Sequence, residues 1–142
     1  MLVIKHTVET SATPAQIWQV WQDVEKWNTW DHDLESSGIE GPFKAGTIGY
    51  LKFTDSPLLK TLLTRVEPDK MFIQEAKLPL ASVIMTHIIN NVGEKTLVTI
   101  QTEIRGLLAF FYILFLGRSI RKKIPIEVQE MLKKAQLVDN NG

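Results

Sequence analysis

Residues Gly106 to Leu137 read GLLAFFYILFLGRSIRKKIPIEVQEMLKKAQL. Wound as a helix, this run places Ala109, Ile113, Leu116, Ile120, Ile124, Val128, Met131, Leu132 and Ala135 on one side, at steps of three and four. Arg118, Lys122, Gln129 and Lys133 fall on the other. Such a helix needs an apolar surface to lie on. Its first part, Leu107 to Leu116, is apolar all round, with Phe111 and Phe115 opposite the Ile113 stripe. That pattern predicts cover on every side, from the Asp55-Ser56-Pro57 and Pro79-Leu80-Ala81 loops, from a second copy, or from a membrane surface. Pro125 removes a backbone donor and is expected to kink the helix.

The preceding hundred residues are expected to supply that surface. Val3 to Thr10 alternates as a strand with Ile4, His6 and Val8 on one face. Thr13-Pro14 with Gln16 is a helix start: a cap, a first-turn proline and a capping-box partner. That helix carries Ile17, Trp18 and Trp21 and is expected to end near Asp23, with Val24 to Leu34 a second short helix or turn. Turn residues then divide the chain into strands at 37–40, 47–53, 59–66, 71–78, 82–91 and 97–105. The order is β-α-α-β-β-β-β-β-β-α, an α+β chain with one antiparallel sheet and a long final helix. A hairpin around Gly93 pairs Asn91 with Thr96, which sets His87 opposite Ile100 and Met85 opposite Thr102. The helix-facing side of the sheet then holds Met85, His87, Ile89, Val98, Ile100 and Ile104; a slip of one residue would reverse it.

The totals exclude several classes. A length of 142 residues suits a single domain spanning 1–142. Sixteen basic and sixteen acidic residues give no global field for nucleic acid. No cysteine is present, which removes disulfides and thiolate chemistry. The longest apolar run is half of the about 20 residues that a bilayer span needs. A cytoplasmic location is the default expectation. No phosphate-loop, dinucleotide, zinc-protease or nucleophile-elbow motif occurs, so neither a metal nor a cofactor is expected.

Four stretches carry a resemblance over nearly the whole chain: Pro14-Ala15-Gln16-Ile17-Trp18, Trp27-Asn28-Thr29-Trp30-Asp31, Gly41-Pro42-Phe43-Lys44-Ala45-Gly46-Thr47, and Gly93-Glu94-Lys95-Thr96 leading through Gly106 into the last helix. The chain resembles the START/Bet v 1-like superfamily (SRPBCC), within it the polyketide cyclase/dehydrase and lipid-transport group. The resemblance implies a helix-grip fold, with a curved sheet wrapped round the long helix and an apolar cavity between them. Family members bind or carry lipids, sterols and polyketides there, and a minority do chemistry. Similar sequences often carry a histidine at the position of His87 and several a second on the facing strand, where this chain has Ile100.

On this reading the ligand, a hydrophobic small molecule, meets Trp30, Phe53, Phe72 and the strand residues Met85, His87, Ile89, Ile100 and Thr102. From the helix it meets Phe110, Ile113, Leu114 and Gly117. Such pockets bind by burying apolar area, with one or two polar groups for orientation, here His87 and Thr102. His87 is the candidate acid or base if the protein is an enzyme of the cyclase or dehydratase kind. The alternatives are a hydrogen-bonded histidine in an apolar wall and, for the protein as a whole, an interaction module using Phe111 and Phe115. Asp31-His32-Asp33 reads as a solvated turn, since three consecutive residues point in different directions and do not converge on one ion. Trp18 and Trp21 read as packing residues. Arg118, Arg121, Lys122 and Lys123 read as a solvated basic face, compatible with transient membrane contact. Monomer and homodimer are both open.

Overall fold

The computed structural model describes residues 2–138. Strand β1 (Leu2–Thr10) is followed by α1 (Pro14–Gln22) and a 3₁₀ segment (Val24–Thr29). Six strands follow: β2 (Leu34–Ile39), β3 (Ile48–Phe53), β4 (Leu58–Glu67), β5 (Met71–Leu78), β6 (Ala81–Val92) and β7 (Lys95–Arg105). Helix α2 (Ala109–Gln136) closes the chain. The strands form one seven-stranded antiparallel sheet in the order β1-β7-β6-β5-β4-β3-β2. This is the expected helix-grip architecture. The break between α1 and the 3₁₀ segment falls at Asp23 as expected, whereas β2 begins three residues earlier than the turn signals suggested.

The hairpin register is the expected one: Asn91 pairs with Thr96, His87 with Ile100 and Met85 with Thr102. Irregularities between Leu34 and Ser36 and between Leu63 and Arg65 shift the register of β2 and β4. Bulges of this kind bend a strand and increase its twist, which helps a sheet curve round a helix. Thr13 caps α1 reciprocally with Gln16, whose amide also donates to the Val138 carbonyl at 2.8 Å. One side chain thus starts α1 and fastens the end of α2.

Helix α2 buries Ala109, Gly117, Ile124, Val128, Met131, Leu132 and Ala135. Leu116, expected on this side, is instead exposed. The larger correction concerns the apolar first turns. The Pro79–Leu80 turn does reach the helix start, through Leu108 N–H to the Leu80 carbonyl (3.0 Å) and Tyr112 Oη to the Pro79 carbonyl (3.2 Å). It covers only an edge, and Phe110, Phe111, Leu114 and Phe115 remain exposed. Gly106 makes this junction feasible: its φ is +113°, and a Cβ there would lie 2.8 Å from the Leu80 carbonyl oxygen.

Candidate functional site

The middle of the interior is aromatic. Trp18 and Trp21 face inward from α1, Trp27 from the 3₁₀ segment and Phe43 from the β2–β3 connection, all around Phe72 of β5. Phe72 is 1% exposed, and its centroid lies 5.3 Å from Trp21, 5.1 Å from Phe43 and 6.0 Å from Trp27. The Trp27 indole N–H donates to the Trp21 carbonyl at 2.9 Å, so this packing does not strand it. Trp18 and Trp21 are therefore packing residues, as their spacing suggested. Phe72 fills the centre of this cluster.

His87 borders the cluster. Its ring stacks on Phe72, with centroids 4.1 Å apart and planes 7° apart, and meets Trp21 edge-on at 5.4 Å. Its Nδ1 is buried and has no hydrogen-bond partner among the described residues. Burial lowers its pKa to about 3, with a backbone interaction at Met85 pulling the other way. His87 is thus neutral at physiological pH. A neutral imidazole in this setting exchanges hydrogen bonds with a hydroxyl or carbonyl; it is a weak base for proton abstraction near pH 7.

Beyond His87 the inner face runs toward the start of α2. Met85 lies beside Gln74, whose amide donates to its sulfur at 3.9 Å. Thr102 and Ile100 on β7 and Ile89 on β6 are buried. Met85 and His87 are only half-buried, although both point inward. From the helix, Gly117 is buried and Ile113 half-buried. Phe110 and Leu114, expected on the same wall, turn outward, 72% and 66% exposed. Trp30, tilted against Trp27 at 6.1 Å, and Phe53 are half-buried at the opposite margin. Two surface hollows of about 380 and 460 Å³ lie at the Pro14/Met71/Ile88 and Leu80/Ser82/Gly106 margins, and neither is lined by a residue of α2.

A second polar group was not anticipated. Asp31, read as part of a solvated turn, is buried at 8% exposure, while His32 and Asp33 are exposed. The cause is Lys123, whose ammonium reaches in from α2 to lie 3.1 Å from Asp31 Oδ1 and 3.7 Å from Asp33 Oδ2. It also lies 4.4 Å from the Phe53 ring centroid, a cation–π contact. Glu127, one turn further along α2, is hydrogen-bonded to Asp31. Its pKa is raised to about 9, first by burial, then by the Asp31 charge and hydrogen bond, against the opposing pull of Lys123. Glu127 therefore holds a proton at neutral pH and donates it to Asp31. The available signal was the Lys123–Glu127 spacing of four, bordering the apolar Ile120/Ile124 stripe rather than opposite it. Together these groups tie the middle of α2 to the entry of β2, the sheet edge opposite β1.

A family model described as polyketide cyclase / dehydrase and lipid transport matches residues 1–134. No curated protein matches the chain. Among solved structures it is similar to norcoclaurine synthase from Thalictrum flavum, at 16% identity, covering 96% of this chain and 87% of that one, with a TM-score of 0.74. It is similar to the Aha1 dimer from Colwellia psychrerythraea, at 14% identity and TM-score 0.73, over 96% and 98% of the two chains. The di-domain ARO/CYC StfQ of the steffimycin biosynthetic pathway is similar at 10% identity and TM-score 0.75, over 95% of this chain and 51% of that one. At these identities the likeness is one of fold. Among the described residues no helix is long and apolar enough to cross a membrane.

Proposed function

This chain belongs to the polyketide cyclase/dehydrase and lipid-transport family, and we propose that it is a binding or carrier protein for a hydrophobic small molecule held between the sheet and the first half of α2. The supporting observation is the pairing of two neighbours on the inner face: Met85 points inward yet is only half-buried, and beside it the His87 Nδ1 is buried with no hydrogen-bond partner among the described residues. A ligand there would bury the apolar surface that Met85 and Ile113 still present. His87, neutral, would orient one hydroxyl or carbonyl, and Thr102 would offer a second polar contact. A structure of norcoclaurine synthase, in the same fold, holds dopamine and hydroxybenzaldehyde, which supports an aromatic or polyketide-like ligand of modest size. Phe110 and Leu114 would join such a site only through a rotation of the helix start.

The catalytic alternative would assign proton transfer to His87. Its low pKa and its Phe72 and Trp21 neighbours favour the binding role, because a base acts best with a pKa near the working pH. Native mass spectrometry of the protein purified from its host tests the proposal. Extra mass of small-molecule size that extracts into organic solvent is the expected result, with weaker retention in His87→Leu. An adduct-free protein whose melting temperature is unmoved across a panel of lipids and aromatic polyketides would overturn it.

A further inference from the structure

The outward face of α2 is ordered along its axis. Its first turns expose Phe110 (72%), Phe111 (54%), Leu114 (66%) and Phe115 (68%), with Leu107 (82%) just ahead. The next two turns, on the same face, expose Arg118, Arg121 and Lys122. From Leu107 to Ile126 there is no acidic residue. Phe111 and Phe115 pack on each other at 4.7 Å, so the patch is a continuous surface rather than scattered side chains. Leu80, 63% exposed, extends it across the turn bonded to Leu108 and Tyr112.

We propose that this face docks the protein on an anionic lipid surface, with the phenylalanines entering the headgroup–acyl boundary and the three basic side chains lying among the headgroups. An apolar turn followed by a basic collar is the chemistry such an interface recognises. A second copy fits less well: with the helices parallel, a symmetric contact would bring two sets of Arg118, Arg121 and Lys122 together, and in either orientation the segment offers no carboxylate to pair with them. Lys123 takes no part, because it points inward to Asp31. The inference does not depend on whether the interior holds a ligand.

Co-sedimentation with phosphatidylcholine vesicles, with and without about a third phosphatidylglycerol, tests it. The protein should bind the anionic vesicles and release them as salt rises toward about 0.5 M, where screening becomes short-ranged. Arg118→Gln/Arg121→Gln/Lys122→Gln should weaken binding on the order of a hundredfold, at several-fold per cation. Phe111→Ser/Phe115→Ser should abolish it, both variants melting as the parent does. No binding to anionic vesicles overturns the proposal, as does equal binding to neutral ones. A concentration-dependent dimer dissolved by the serine variant, without vesicle binding, assigns the face to a second copy and overturns it too.

Discussion

Lys123 of α2 and Asp31, at the entry to β2, form an ion pair of 3.1 Å that joins the long helix to the sheet edge farthest from β1. Elsewhere α2 is held by apolar packing on β1, β7 and α1, by the Leu108 and Tyr112 bonds to the Pro79–Leu80 turn at its start, and by the Gln16–Val138 bond at its end. The pair therefore closes the open side of the grip. The Asp31 side chain is about a tenth exposed and that of Lys123 about a quarter, so removing one partner strands a charge in a poorly hydrated place.

Lys123→Met should destabilise by about 2 kcal/mol in urea unfolding, less than the 3–5 typical of a fully buried pair because the ammonium keeps some water. Lys123→Met combined with Asp31→Asn should recover much of that loss. Equal stability of the single variant and the parent would show that the pair is merely a surface contact.

The two shifted groups give stability opposite pH dependences. His87, at about 3 against 6.5 in the unfolded chain, contributes stability fully present above pH 6.5 and lost as pH falls toward 3. Glu127, at about 9 against 4.5, contributes stability fully present below pH 4.5 and lost as pH rises toward 9. Between 4.5 and 6.5 the slopes oppose each other, each at most about 1.4 kcal/mol per pH unit. The melting temperature should therefore plateau at mildly acidic pH. Glu127→Gln, which still donates to Asp31, should flatten the alkaline decline and leave the acid one; His87→Leu should do the reverse. Parallel curves for all three proteins would refute both assignments.

Gly106 and Leu80 meet where the β5–β6 turn abuts the start of α2, and each has a positive φ, +113° and +57°. Gly106→Ala should cost about 2 kcal/mol or more, from the backbone conformation together with the approach to the Leu80 carbonyl. Leu80→Gly relaxes an exposed left-handed leucine and should stabilise by up to about 1 kcal/mol. Thermal melts of the two variants moving in the same direction would contradict this account of the junction.

Most of the architecture was legible because periodicity and turns are local. The Asn91–Thr96 pairing followed from one glycine turn and set every inward residue of β6 and β7. Legibility failed where the outcome depended on what lies opposite. Asp31 looks like a surface residue until Lys123, distant in sequence, arrives to pair with it. The apolar run 107–116 predicts cover, but whether a loop provides it depends on the reach of Pro79–Leu80, and that turn covers only one edge. Phe110 and Leu114 show the same limit: an all-apolar turn has no polar side to orient it, so spacing could not say which residues face the sheet.

Phe72 is the side chain on which the interior depends. It contacts Trp18, Trp21, Trp27, Phe43 and the face of His87, and each aromatic contact adds roughly 1 kcal/mol beyond the area it buries. Phe72→Ala should destabilise by about 4 kcal/mol, the ordinary cost of removing a buried ring from packing that cannot collapse. It should also change His87. Without the stacked ring, water reaches the imidazole, the burial that lowers its pKa weakens, and its titration should move from about 3 up toward the ordinary histidine range. Following the His87 ring protons by NMR in Phe72→Leu, the milder variant, separates this effect from unfolding. A titration unchanged from the parent would mean that the sheet and Trp21, rather than Phe72, keep His87 dry.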